Sequence, residues 1–340
     1  MEPGDWRQGG RFRNPWPEPP HRLRDILRWK FGLGPHEPPW PGSGPRRDLP
    51  ARWVALDPAA VARVPAAGWR AVWLGHASFL LQGAGCTLWV DPVFSSHCAP
   101  LPVQSLRRLV EVPCRAGDLP RPDAVLLTHS HYDHLDLPTL RAAGTATPMI
   151  VPEGHAAWMR AKGFRNVREI PWFGAAEVAA GIEVRAVPAR HFTARTPWDR
   201  NRGHWCGWLV RGAGATLWHA GDSAWCPAFA ELGQAHGPID FAMLPIGAYA
   251  PRWLMEPVHM TPEEAVRAFL AARCRRAVGM HWGTFRLTDE ALGEPPLRLA
   301  AAAQTAGLPA DSFRTVAVGE VLDGIGSTAP SEPERSSPLE

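Results

Sequence analysis

Four shortages bound what this chain can be. Cysteine is sparse: the 340 residues hold 6, at Cys86, Cys98, Cys114, Cys206, Cys226 and Cys274, with no Cys-x-x-Cys pair among them. Such scatter argues against a disulfide framework and for free thiols in a reducing compartment. Long apolar runs are missing as well. No stretch reaches the roughly 18 residues that a membrane-spanning helix needs. Net charge is small, +3 at pH 7, which is too little to argue for nucleic acid as a partner. Tyrosine is also scarce, with 2 residues against 17 tryptophans. Tryptophan suits cores, pockets and membrane interfaces, and the core is expected to take most of these. The opening Met1-Glu2-Pro3-Gly4-Asp5 shows neither the basic nor the apolar region of a signal peptide. The expected location is therefore the cytoplasm, with at most peripheral contact to the inner face of the membrane.

What is present is organised as one large unit. Residues 1–50 are rich in Pro, Arg and Gly and are expected to form an arm packed on the domain. Residues 51–325 are expected to form the catalytic domain, and the Ser/Pro/Glu-rich 326–340 a disordered tail. Within the arm, Arg22 to Phe31 can form a helix with Leu23, Ile26, Leu27 and Phe31 on one face. Its arginines and Lys30 would suit a membrane surface; docking on its own domain is the competing use of such a face. From Trp53 onward the pattern is strand after strand. Ala71–Leu74, Ser78–Leu81 and Thr87–Val90 are short apolar runs split by turn residues. Trp205–Val210 and Thr216–His219 read as a hairpin, and Val316–Val321 as the last strand. Thr261-Pro262-Glu263-Glu264 is a helix start with a capping box and proline at the first helical position.

The chemistry concentrates after one apolar run. Ala124 to Leu127 reads as a buried strand and leads straight into Thr128-His129-Ser130-His131-Tyr132-Asp133-His134. Imidazole nitrogens and carboxylates fanning from a loop suit a borderline cation such as zinc. Three more apolar runs end on donors: Val187 leads to His191, Trp218 to Asp222, and Val278 to His281. Each alone is better explained by packing or a turn; together with the His-rich loop they point to one metal cluster. Asp91, at another strand end, is expected either to orient a metal-bound histidine or to cap a turn. His76 and His219 are expected to satisfy backbone groups and are left out of the site. Arg195, Arg200 and Arg202 are expected to form a solvated basic loop, with phosphate attraction as the other use. Trp253, Leu254 and Met255 form an apolar cluster suited to acyl chains or to plain core.

The order His129-x-His131-x-Asp133-His134, then His191, Asp222 and His281, resembles the metallo-β-lactamase superfamily. That resemblance implies an α/β fold, a four-layer αββα sandwich, with two metals at one edge of the sheets. It implies His129, His131 and His191 on one metal, Asp133, His134 and His281 on the other, and Asp222 bridging. Further stretches, among them Gly221-Asp222-Ser223-Ala224-Trp225-Cys226-Pro227, Gly247-Ala248-Tyr249, Pro251-Arg252-Trp253 and His281-Trp282-Gly283-Thr284-Phe285, resemble the N-acylphosphatidylethanolamine-hydrolysing phospholipase D family. The implied activity is a phosphodiesterase reaction, with a metal-bridging hydroxide attacking phosphorus. A lactonase or another phosphoesterase of the same fold is the alternative. Asp133, Asp222 and His259 are the expected catalytic residues, with His259 reaching the substrate phosphate. The expected cofactors are two divalent ions, zinc first, with iron or manganese also served by this donor set. The expected partners are an anionic phospholipid and a membrane surface, with a homodimer allowed and no nucleic acid.

Overall fold

The structure, a computed structural model, describes residues 6–16, 23–35, 37–38, 40–42 and 48–326. The expected disordered tail lies outside the described residues from Ser327 on, and so does Arg22 of the expected arm helix.

The elements run β1 (Arg7–Gln8), β2 (Arg11–Phe12), α1 (Leu23–Lys30), α2 (Pro58–Val61), β3 (Trp69–Gly75), β4 (Ser78–Gly83), β5 (Cys86–Val90), β6 (Ala124–Leu126), α3 (Leu137–Ala143), β7 (Met149–Pro152), α4 (Ala156–Ala161) and β8 (Val167–Ile170). Then come β9 (Ala175–Ala179), β10 (Ile182–Val187), β11 (Gly207–Gly212), β12 (Ala215–His219), α5 (Ala228–His236), β13 (Phe241–Pro245), α6 (Arg252–Met255), α7 (Pro262–Ala271), β14 (Ala277–Met280), α8 (Glu294–Thr305), β15 (Phe313–Arg314) and β16 (Val321–Ile325).

Two seven-stranded sheets form, in the orders β16-β3-β4-β5-β6-β7-β8 and β15-β14-β13-β12-β11-β10-β9. Each begins as an antiparallel meander and continues as parallel strands. Period-two alternation explains how the first sheet serves two layers. Along β3, Trp69, Ala71 and Trp73 face the large core shared with the second sheet. Val72 and Leu74 face the other way, into a cluster with Leu140 of α3 and Met159 of α4. On the second sheet, Phe229 of α5, Phe269 of α7 and Leu299 of α8 join the core. The result is the expected four-layer αββα arrangement.

Tryptophan goes mainly inside, as expected: Trp69, Trp73, Trp89, Trp205, Trp208 and Trp218 are fully buried. The expected hairpin of β11 and β12 forms, pairing antiparallel. The capping box at Thr261 is complete, with Thr261 and Glu264 each bonding the other's backbone. The last strand differs from expectation. Val316–Val321 is mostly irregular, and the pairing residues are Phe313–Arg314 on one sheet and Val321–Ile325 on the other. The segment from Phe313 to Ile325 crosses between the sheets, so its ends are paired and its middle, with Val318 bonding the backbone of Arg52 and Val54, spans the gap. Cysteine is free throughout, mostly buried. No helix among the described residues is long and apolar enough to cross a membrane.

Candidate metal centre

Strand ends build the centre. β6 delivers Leu127-Thr128-His129, β10 leads to His191, β12 to Asp222 and β14 to His281. β6 belongs to one sheet and β10, β12 and β14 take alternate places in the other, and their C-terminal ends meet at one edge, the usual position for a site in an α/β fold.

The donors fall into two groups that share Asp222. In the first, His129 Nε2 lies 2.8 Å from His131 Nδ1, and His191 Nε2 lies 3.2 Å from the same atom. Asp222 Oδ2 stands 3.6 Å from His191 Nε2 and 4.0 Å from His129 Nε2. In the second, Asp133 Oδ2 is 3.7 Å from His134 Nε2 and 3.4 Å from His281 Nε2. Asp222 Oδ2 closes that group at 3.2 Å and 3.0 Å from the same two nitrogens. A tetrahedral ion about 2.0–2.1 Å from each nitrogen sets its ligand atoms about 3.3 Å apart, and the observed separations bracket that edge. Several of these atoms are buried without a hydrogen-bond partner: His134 Nε2, both ring nitrogens of His281, and Asp222 Oδ1. Orphaned lone pairs in a dry site are costly. The residues present therefore fit a binuclear centre.

The electrostatics divide the groups. Burial drives His131 down to about 4 and His191 to about 3, and His129 well below its usual range. These three are neutral and ready to donate lone pairs. Burial works against charge at His281 too, but Asp222 and Asp133 outweigh it and lift this histidine to about 9. His134 is raised likewise, burial being overcome by Asp222, Asp133 and Asp91. Burial pushes Asp222 and Asp133 up, yet the facing histidines hold both well below the carboxylate range.

Supporting contacts fix the rings. His191 Nδ1 donates to the Val258 carbonyl at 2.9 Å. Asp91 Oδ2 takes His134 Nδ1 at 2.7 Å while its two oxygens also accept from the Thr128 backbone N–H and hydroxyl. Of its two expected uses, Asp91 thus has the geometry of orienting a histidine. His219 bonds the Ala77 carbonyl, as expected. His76 does not stay with the backbone: its Nε2 lies 2.8 Å from Asp133 Oδ2, and it joins Asp133, His134 and His281 in one cluster. The available signal was Gly75-His76 at a strand end, the same placement as the other donors. His259 lies against Asp222 and His281, with its Nδ1 unpartnered.

A cavity of about 570 Å³ opens on the centre. His131, Asp133, His191, Asp222, His259 and His281 form its polar floor. Ile26 and Trp29 of α1, Leu254 and Met255 of α6, Val258 and Leu287 form an apolar wall, with Arg200 at the side. Of the expected acyl-receiving cluster, Leu254 and Met255 line this cavity; Trp253 lines a neighbouring one. Arg202 is exposed, as a solvated loop requires, but Arg195 is not solvated in that sense: it packs on Tyr132 and Trp158.

Comparison with known proteins agrees with this geometry. An uncharacterized protein of Mycobacterium tuberculosis is 40% identical over 239 residues, 68% of this chain and 63% of that protein. The chain thus spans under two thirds of that relative's length. N-acyl-phosphatidylethanolamine-hydrolyzing phospholipase D 1 of Caenorhabditis elegans is 34% identical over 267 residues, 74% of this chain and 75% of that protein. Among solved structures, the isothiocyanate hydrolase from Delia radicum gut bacteria superposes with a TM-score of 0.62 at 23% identity, covering 76% of this chain and 99% of that one. That likeness concerns the fold. Residues 87–282, which carry every donor of the two groups except His76, match the family described as the beta-lactamase superfamily domain, and the chain belongs to that superfamily.

Proposed function

We propose that this hydrolase cleaves the phosphodiester of N-acylphosphatidylethanolamine-like lipids, releasing phosphatidic acid and an N-acylethanolamine. The observation that carries the proposal is the cavity: a His- and Asp-lined floor that would hold the divalent ions meets an apolar wall built by α1 and α6. The family relation to phospholipase D 1 of Caenorhabditis elegans supports the same substrate class.

When bound, two divalent ions, zinc in this proposal, would supply Lewis acidity and an activated water at neutral pH. The chain's own residues do the remainder. His129, His131 and His191 with Asp222 would hold one ion; Asp133, His134 and His281 with Asp222 the other. The two aspartates offset only part of the charge, which leaves a floor suited to an anionic phosphodiester. Burial keeps His259 well below the usual histidine range, hence neutral. One ring nitrogen would then present N–H to a phosphoryl oxygen. Leu254, Met255, Val258 and Leu287 would take acyl carbons, each buried CH₂ contributing about 0.8 kcal/mol.

A lipid must be met at a surface. Leu27, Phe31, Leu33 and Trp198 are exposed by 47%, 73%, 68% and 70%, beside the cavity walls that Ile26, Trp29 and Pro197 provide. Arg24, Arg28 and Lys30 share α1 with Leu27. These residues would rest on an anionic bilayer.

The test is mass spectrometry of products from mixed vesicles, with an acyl lactone assayed in parallel. Release of N-acylethanolamine supports the proposal, as does slowing by Leu27→Asp on vesicles alone. Efficient lactone turnover with the phospholipid untouched would replace it with a lactonase of the same fold.

A further inference from the structure

The turn that carries His131, Asp133 and His134 has few bonds of its own. Its backbone bonds are His134 N–H and Leu135 N–H to the His131 carbonyl, at 3.2 Å and 2.9 Å. Across its open side lies Arg195, from the segment that follows His191. One guanidinium nitrogen, Nη1, donates to the Ser130 carbonyl and to the Leu135 carbonyl, 2.8 Å each. Those two carbonyls flank His131, Tyr132, Asp133 and His134 on either side. The guanidinium carbon sits 3.9 Å from the Tyr132 ring centre and 5.0 Å from that of Trp158 on α4. Two further ties dock the same segments. Thr193 Oγ1 accepts the Ser130 N–H at 3.1 Å, and Tyr132 donates its hydroxyl to the Arg195 carbonyl at 3.3 Å. Asp199 fixes the Arg195 backbone through its N–H at 2.9 Å.

We infer that Arg195 is a positioning residue that staples the donor turn and thereby sets how Asp133 and His134 meet His281 and Asp222. Its contacts are carbonyls and ring faces rather than the cavity, whose lining does not include it. The planar guanidinium suits this place. It can stack on rings while donating within its own plane, which an ammonium cannot. The first ligand group depends less on the staple. His129 is anchored beside Thr128, and His191 by the Val258 carbonyl. Of its donors only His131 lies in the turn, whereas Asp133 and His134 of the second group both do.

The inference rests on the two-ion proposal, and the test separates them. The full-length chain, stripped of metal, is titrated with cobalt(II), read by visible absorption together with total metal content. Thermal unfolding of the metal-free proteins serves as the control. The parent should take up about two ions. Arg195→Lys should bind the first as the parent does and the second about 10–100-fold more weakly, the usual effect of losing a partner that orients ligands. Trp158→Leu, which removes one stacking face and leaves Arg195 in place, should weaken the same second ion by a smaller factor. Both variants matching the parent in the two uptake steps would overturn the staple and leave the two-ion reading intact. That pattern is also what an anion-binding role for Arg195 would give. Uptake of no cobalt by the parent would overturn both.

Discussion

The two halves of the centre use the same residue types and hold them in opposite charge states. Around His129, His131 and His191 burial dominates, and the imidazoles are neutral. Around His134 and His281 the two aspartates dominate, and the imidazoles hold protons. The difference lies in carboxylate placement. Asp222 Oδ2 stands 3.0–3.2 Å from the second pair of nitrogens and 3.6–4.0 Å from the first. Asp133 makes its close contacts in the second and reaches His131 of the first too weakly to offset burial. Among these five ligand histidines, carboxylate placement separates the protonated pair from the neutral three.

The hardest break of that comparison removes the carboxylate common to both halves. Asp222→Asn should lower turnover of a phosphodiester by about 10³-fold or more, with metal content falling at both groups. Near-normal turnover would take Asp222 out of its shared position. A pH series sharpens the contrast next. An ion entering the second group must displace the protons held there, so its affinity should fall as pH drops below the His281 value of about 9. The first group, with His131 near 4 and His191 near 3, has no protons to lose at neutral pH. Between about pH 8 and 6 the second ion should weaken by about tenfold for each pH unit and each proton displaced, while the first stays constant. Calorimetry in buffers of different ionisation enthalpy reads the released protons directly. Equal proton release at both steps would erase the distinction.

His76→Phe should act on one half only. Asp133 loses its 2.8 Å partner, and the second ion should weaken by about 10–100-fold with the first untouched. Loss of both ions together would place His76 in the scaffold instead.

The smallest effect lies outside the centre. His155 and His204 are buried, with all four ring nitrogens unpartnered. Burial lowers His155 to about 4 and His204 to about 3. No carboxylate outweighs it, although His155 senses the Glu153 backbone and the charges of Glu169 and Asp199. Folded pKa values below the unfolded one mean that the unfolded chain binds more protons. Their contribution is complete above about pH 6.5 and is lost as pH falls toward 4 and 3. Acid unfolding of the metal-free chain should steepen across that window, and His155→Gln should flatten it slightly. An unchanged slope would contradict the assignment.

Much of this was legible before any coordinates. Donors at strand ends show in the sequence because an apolar run and the residue just past it are adjacent in the chain, as with Leu127 and His129 or Met280 and His281. Asp91 was legible for the same reason. His76 has that placement too, but a lone histidine after Gly75 carries no sign of which group its ring will face. Asp133 meets it from 57 residues away. Arg195 was read as part of a basic loop because charge is visible in a sequence and burial is not. What removes it from solvent is Tyr132 and Trp158, both distant along the chain. The final strand was misplaced because Val316-Ala317-Val318 is an apolar run, and apolarity does not reveal a crossing between two sheets.

The most direct test of the central claim is the metal content of the purified full-length chain, measured alongside its hydrolytic activity before and after chelation. The account predicts about two divalent ions per chain, activity lost on chelation, and recovery when zinc is restored. A chain that holds no metal and keeps its full activity would contradict it.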